Sequence, residues 1–445
     1  MYWLKKCRRL ELWRHDSTRI GEILFKIRKV IHFVDLRLRF SRASHYFFRM
    51  RFFHCLLLLV STFSLLPVAV SAQVIDIGGA TRKGEGRLAL AVNSTDASIA
   101  KLARRAFGLH GGCTVTTASK AAYTIQIARA SGSSVTLSIS SGGREQLRRT
   151  VAGRDLQNAT LRACDMAVEA TLHSKGFFAG KLAFVGKQRG VSEIYTSDLL
   201  FNRVRPLTAD RSLVTGPSWS PDGTKLLYTT YYKTGFPDVY MIDLSSGRKK
   251  PVATYKGTNS GGDFSPNGRS IAMSLSSSGN NEIYVADATG RKPRRLTTNK
   301  SLETSPTWSP DGRRLAFTSD ARGKPQIYEI SANGGPMRRI PTNVSSYCSE
   351  PAWNPVKENL IAFTAAVRGG FQIALYDSAT RSSNILTSVS QSAVEPAWLN
   401  DGRHLVFTQR QNGRTRLMLL DTETKKISAL HVPNFGDASS ASFVY

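Results

Sequence analysis

The stretch "PSWSPDG" at 217–223 decides the fold, because it comes back. It recurs as "GDFSPNG" at 262–268, "PTWSPDG" at 306–312, "PAWNPVK" at 351–357 and "PAWLNDG" at 396–402. The aromatic positions are Trp219, Phe264, Trp308, Trp353 and Trp398, spaced 45, 44, 45 and 45 residues apart. A fixed period of that length predicts propeller blades of about four strands each. The aromatic is expected to pack between neighbouring blades, where one sheet covers the face of the next. Proline after it removes a ladder donor and ends the strand, and Asp-Gly or Asn-Gly supplies a tight hairpin turn. Asp222 and Asp311 therefore read as turn residues before they read as metal ligands.

The rest of each repeat agrees. An alternating strand follows the turn, as in "KLLYTT" at 225, "SIAMSL" at 270, "RLAFTS" at 314, "LIAFTA" at 360 and "HLVFTQ" at 404. A loop leads to a third strand ("DVYMID", "EIYVAD", "QIYEIS", "QIALYD", "RLMLLD") and a turn to a short basic fourth one. These runs are β-branched or aromatic at alternate positions and bounded by turn chemistry. Residues 180–208 match the repeat from its second strand onward, and "ASSASFVY" at 438–445 can supply the missing first strand. Six blades then close into a ring, which leaves no open sheet edge. The basic pairs Arg248-Lys249, Arg294-Arg295, Arg338-Arg339 and Lys425-Lys426 recur at the fourth strand. They read as edge protection or as attraction to an acidic partner.

Ahead of the repeats lie three shorter segments. Residues 1–49 hold thirteen Lys and Arg against four Asp and Glu, out of a net charge of +29 for the chain, and read as a mis-assigned leader before a true start at Met50. Residues 50–72, "MRFFHCLLLLVSTFSLLPVAVSA", have the charged start, apolar run and small-residue end of a secretory signal. The run is short of the ~20 residues a bilayer requires, and cleavage is expected between Ala72 and Gln73. Residues 73–176 lack the 45-residue period. Helical spacing of Ile99, Leu102, Ala103, Ala106 and Phe107, and again of Leu161, Cys164, Val168 and Leu172, predicts two helices among several strands. The expectation is a small α/β domain at 73–176 followed by a propeller at 177–445. Export permits a disulfide between Cys113 and Cys164, but their spacing fits two buried thiols equally well.

Catalytic signatures are sparse. There is no Gly-x-Ser-x-Gly elbow, and the four histidines after residue 73 (His110, His173, His404 and His431) form no ligand spacing in sequence. No cofactor is expected, and no metal. Glu350 and Glu395 sit just before the Pro-x-Trp strands, where two carboxylates on neighbouring blades could bind a cation or a partner's basic or polar groups. The signal disfavours nucleic acid despite the basic charge.

A signal, a small α/β domain and six "P-x-W-S-P-D-G…[LI]-A-F-T…I-Y" repeats resemble the TolB family of the periplasmic Tol–Pal system. "PTWSPDGRRLAFTSD" at 306–320 carries the pattern most fully. The resemblance implies a monomeric, non-enzymatic periplasmic scaffold supporting outer-membrane integrity and cell division. It implies binding of a Pal-like peptidoglycan-associated lipoprotein by loops at the propeller mouth, here Thr215-Gly216, Thr258-Asn259, Thr304-Ser305, Ser349-Glu350 and Val394-Glu395. It further implies recruitment of a TolA-like inner-membrane protein by the N-terminal segment, Gln73, Val74, Ile75, Asp76 and Ile77. The alternative is a secreted propeller that binds another peptide or a glycan, or a metal-dependent propeller enzyme.

Overall fold

The computed structural model describes residues 86–430 and 435–445. The leader, the signal with its Ala72–Gln73 cleavage point, and the segment Gln73–Ile77 lie outside the described residues.

The N-terminal domain is one five-stranded sheet under two helices. Strand β1 (Leu88–Asn93) lies parallel to β2 (Cys113–Val115) and to β3 (Tyr123–Arg129). Strands β4 (Ser134–Ser141) and β5 (Arg144–Ala152) extend the sheet antiparallel, in the order β2-β1-β3-β4-β5. Alternation puts Ile125, Ile127, Val135, Leu137 and Ile139 on the covered face, each fully buried. Helix α1 (Ala97–Leu109) starts at Asp96, whose carboxylate accepts from the Ser98 and Ile99 amides. Helix α2 (Leu156–Leu172) starts at Asp155, which accepts from the Asn158 amide. Their apolar stripes include Ile99, Ala103, Phe107, Cys164 and Val168, all buried against the sheet.

Six four-stranded antiparallel sheets follow. Blade one comprises β6 (Lys181–Gln188), β7 (Val191–Asp198) and β8 (Arg205–Pro206). Blade two is β9 (Val214–Trp219), β10 (Lys225–Thr230), β11 (Asp238–Asp243) and β12 (Lys249–Ala253). Blade three is β13 (Asn259–Phe264), β14 (Ser270–Leu275), β15 (Glu282–Asp287) and β16 (Arg294–Arg295). Blade four is β17 (Glu303–Trp308), β18 (Arg314–Ser319), β19 (Gln326–Ser331) and β20 (Arg338–Arg339). Blade five is β21 (Cys348–Trp353), β22 (Leu360–Val367), β23 (Gly370–Asp377) and β24 (Ser382–Ile385). Blade six is β25 (Ser392–Trp398), β26 (His404–Gln411), β27 (Arg414–Asp421) and β28 (Ile427–Ala429). The last strand, β29 (Asp437–Val444), pairs antiparallel with β6 from Asp437↔Lys187 to Val444↔Lys181 and completes blade one. The ring is closed by the C-terminal strand, as the missing first strand at 180–208 predicts.

The five aromatic anchors are 6–8% exposed. Each lies in an apolar cluster shared by two successive blades: Trp219 with Ala183 and Val185, Phe264 with Leu227 and Val239, Trp308 with Ala272 and Ile283. Burying a side chain of this kind contributes about 1.5–3 kcal/mol, and here each contribution joins two sheets. The turns behave alike. Asp222 Oδ1 accepts from the Ser220 hydroxyl at 2.6 Å and the Thr224 amide at 3.0 Å, and Asp311 repeats this with Ser309 and Arg313. Gly223 follows at φ +64°, the left-handed region that favours glycine. In the fourth repeat Asn354 replaces the aspartate's role, accepting from the Val356 and Lys357 amides.

The domain and the ring share one core. Phe177 and Phe178 link α1 and α2 to residues of blades six and one, including Leu399, Leu417 and Leu182. Buried Asp165 on α2 accepts from the Phe178 and Ala179 amides and from the hydroxyl of Tyr445, the last residue.

Candidate functional site

The innermost strands β9, β13, β17, β21, β25 and β29 pack against one another around the central axis. Each is bulged at one place, where the register with its neighbour slips. The residues there are Gly216, Gly261, Ser305, Glu350, Glu395 and Ser440, all at φ between +49° and +59°. A non-glycine residue in that region costs about 1–2 kcal/mol. The twist turns several of these amides toward the preceding blade, where hydrogen bonds offset the cost. Gly261 N donates to Thr229 Oγ1 at 3.3 Å and Glu350 N to Thr318 Oγ1 at 3.1 Å. Glu395 N donates to Glu350 Oε2 at 3.0 Å, and Ser440 N to Glu395 Oε2 at 2.9 Å.

The residues expected at the mouth lie on and beside these bulges. Thr215-Gly216, Thr304-Ser305, Ser349-Glu350 and Val394-Glu395 lie inside innermost strands, and Thr258-Asn259 straddles the start of one. Thr215 and Gly216 are exposed, Asn259 and Val394 buried, and the other six half-buried. Glu350 and Glu395 also accept from Thr364 and Thr408, each at 2.7 Å. Burial and the Glu395 charge raise the Glu350 carboxyl above the usual range. The two carboxylates thus join blades five, six and one through their Oε2 atoms. Asn259 holds the loop before it by donating to Tyr255 O and Asp238 Oδ1.

The rim away from the N-terminal domain is built by the loops between second and third strands and those linking blades. Six of the exposed large apolar side chains sit there: Val191, Leu213, Tyr232, Phe236, Tyr255 and Leu302. Phe236 is 63% exposed. Exposed Lys233, Lys256, Lys300, Arg322 and Lys324 surround them, and none forms an ion pair among the described residues. The basic pairs of the outer strands divide by position. Arg294 and Arg338 are exposed, whereas Arg295 binds buried Glu282 at 2.5 Å and Arg339 binds Gln326 Oε1 at 2.9 Å.

At the opposite end, tertiary structure assembles a histidine cluster that sequence spacing concealed. His110, after α1, meets His404 of blade six with ring centroids 4.7 Å apart. Ligand atoms of His110, His404 and Asp421 lie within 4.8 Å of one another. His404 Nδ1 is 2.5 Å from Asp401 Oδ2 and Nε2 is 3.3 Å from Asp421 Oδ2. The donor set suits an ion-pair network better than a metal. Arg403 grips Asp421 through Nε at 3.0 Å and Nη2 at 2.7 Å, and the Gly112 amide donates to His110 Nδ1 at 3.0 Å. A metal-bound imidazole normally donates through its second nitrogen, which here accepts. Burial depresses His110 to about 3. The hydrogen bonds to Asp401 and Asp421 outweigh burial at His404 and raise its pKa. Gly111 is required there, since a Cβ would meet Asp421 Oδ2 at 2.0 Å. Cys113 and Cys164 are free buried thiols, not a disulfide. Cys113 Sγ donates to Phe107 O at 3.3 Å, and burial pushes it up to about 12.

Residues 168–443 match the TolB beta propeller domain family. The Tol-Pal system protein TolB of Anaeromyxobacter sp. (strain K) is 34% identical over 98 residues, 22% of either chain. That of Geobacter sulfurreducens is 36% identical over 113 residues, 24% of this chain and 25% of its own. The matched part thus spans about a quarter or less of these relatives' length. In three dimensions the crystal structure of TolB from Acinetobacter baumannii superposes with a TM-score of 0.71 at 22% identity, covering 81% of this chain and 98% of that one. With more than half its length matched by the family pattern, the chain belongs to the TolB β-propeller family.

Proposed function

We propose that this protein is a periplasmic, non-enzymatic scaffold of a Tol–Pal envelope system. Its rim takes a Pal-like lipoprotein, and its N-terminal segment Gln73–Ile77 takes a TolA-like inner-membrane protein. The observation that carries the first contact is the rim itself, where exposed Tyr232, Phe236, Tyr255 and Leu302 share the loops with exposed Lys233, Lys256, Lys300, Arg322 and Lys324, none in an ion pair among the described residues. Aromatic anchors inside a charged border have the composition of a protein interface, and the basic border suits an acidic partner face. The non-enzymatic reading is supported by Glu350 and Glu395, two acids on neighbouring blades whose Oε2 atoms are engaged in joining blades. The relatives' names, Tol-Pal system protein, support that envelope context.

The test is calorimetric titration of the protein with the soluble domain of the same cell's peptidoglycan-associated lipoprotein. Saturable one-to-one binding is expected, weakened about tenfold or more by Phe236→Ala with Tyr232→Ala. Binding that ignores those substitutions would move the contact off the rim. No binding by folded protein would favour a propeller for another peptide or a glycan.

A further inference from the structure

A cleft of 590 Å³ opens between the N-terminal domain and blades one and two, at the end away from the rim. The start of α2, the strands of blade one and the first turn of blade two form its walls. Four cations line it (Arg154, Lys181, Arg203 and Arg205) with two carboxylates, Asp155 and Asp198. Both carboxylates are already committed. Asp155 accepts from the Asn158 amide at 2.9 Å and pairs with Arg203 at 2.7 Å. Asp198 accepts from the Asn202 amide at 2.9 Å and from the Gln157 side chain. Arg154, Lys181 and Arg205 are left without an ion pair among the described residues. Lys181 is held below the usual lysine range by burial and by the charges of Arg154 and Arg205. Three like charges thus line one cleft, with Asp222 acting on Lys181 in the opposite sense.

Two further wall residues lack partners. Ser197 and Trp219 are each 6% exposed, and neither the Ser197 hydroxyl nor the Trp219 indole N–H has a hydrogen-bond partner. The other three repeat tryptophans all satisfy that group: Trp308 on Asp263 O, Trp353 on Glu358 O and Trp398 on Ala352 O. A buried donor without an acceptor costs about 1–3 kcal/mol. The same tryptophan carries Lys181 Nζ 5.9 Å above its ring. The N-terminus of α2 adds its partial positive charge.

We propose that this cleft is a binding site for a small multiply charged oxyanion, bearing phosphoryl or carboxyl groups. The head group sits among Arg154, Lys181 and Arg205 and accepts from the unpaired donors of Ser197 and Trp219. The cleft has the capacity for a ligand of small-metabolite size rather than a bare ion. It is separate from the rim, so a ligand here leaves the proposed partner surface open.

The experiment is titration of the protein with inorganic phosphate and, separately, citrate, by calorimetry and by the indole N–H signals in a ¹⁵N-correlation spectrum. Saturable one-to-one binding of at least one anion is expected, with the Trp219 indole signal shifting. The tighter of the two identifies the head group as phosphoryl or carboxyl. Arg154→Gln with Lys181→Gln should weaken it about tenfold or more. Trp219→Phe keeps the ring but loses the donor and should weaken it about threefold to tenfold. Lys120→Gln with Arg144→Gln, exposed on the N-terminal domain outside both the cleft and the rim, removes the same charge elsewhere and should change nothing. Absence of saturation with both anions up to about 10 mM, or equal loss in the two double variants, overturns the proposal. Arg205→Gln replaces any cleft variant whose melting departs from wild type.

Discussion

Replacing Glu303 with glutamine should stabilise the protein, and only above mildly acidic pH. Glu303 begins the innermost strand of blade four and is fully buried, as is Glu282 at the start of the third strand of blade three. Arg295 pairs with Glu282 at 2.5 Å, and Glu303 accepts from the Ser319 hydroxyl at 2.7 Å. Burial raises the Glu303 carboxyl to about 7, and the neighbouring Glu282 adds to the rise. The folded chain therefore binds a proton at Glu303 that the unfolded chain releases near the ordinary 4.5. Stability from this group is full below 4.5 and is lost as pH rises through 7. Each tenfold difference in proton affinity between the folded and unfolded chain is worth about 1.4 kcal/mol, so the loss reaches roughly 3 kcal/mol by pH 8. A glutamine carries a permanent donor in place of the proton. The same exchange already exists one blade earlier, where Asn259 Nδ2 donates to Asp238 Oδ1 at 3.1 Å from the equivalent positions. Urea unfolding of wild type and Glu303→Gln at pH 5 and pH 8 measures the effect. A gain of about 2–3 kcal/mol is expected at pH 8, shrinking to under about 1 kcal/mol at pH 5. A difference between the two proteins that is the same at both pH values, within about 0.5 kcal/mol, would refute the reasoning.

Glu395→Ala removes the acceptor shared by Thr408, Arg410 and the Ser440 amide. It should cost about 2–4 kcal/mol and speed hydrogen exchange across 437–444, because the closing strand loses one of its ties to blade six and keeps Thr408 Oγ1 at 3.0 Å. Arg403→Ala strips the guanidinium from buried Asp421 and leaves it the His404 ring at 3.3 Å. A loss of about 3–5 kcal/mol in urea unfolding is expected, with the N-terminal domain cleaved earlier by added protease. Cys113 and Cys164, buried and with raised pKa values, should resist a thiol reagent in the folded protein and react promptly in denaturant. Labelling of two fewer thiols after denaturation under non-reducing conditions would instead reveal a disulfide.

The sequence by itself determined the architecture, because each repeat carries its own instructions. The anchor, the proline, the Asp-Gly turn and the two-residue alternation act within one blade, and their 45-residue recurrence counted six blades with the last strand borrowed from the C-terminus. Periodicity likewise exposed the two helices of the N-terminal domain, whose Asp96 and Asp155 caps are local signals. Only the tertiary structure decided the roles of side chains whose partners lie on another blade or domain. Glu350 looks free in sequence because the amide it receives belongs to Glu395, one repeat later. His110 and His404 meet because Phe177 and Phe178 seat the domain against blade six, a contact without a sequence period. The unpaired indole of Trp219 is invisible among four like tryptophans for the same reason. Its neighbour is the closing strand, which supplies Ser442, and the acceptor found at the other three is absent. Repetition encodes what is the same in every blade, and chemistry specific to this protein arises where ring closure and domain docking make one blade differ from the rest.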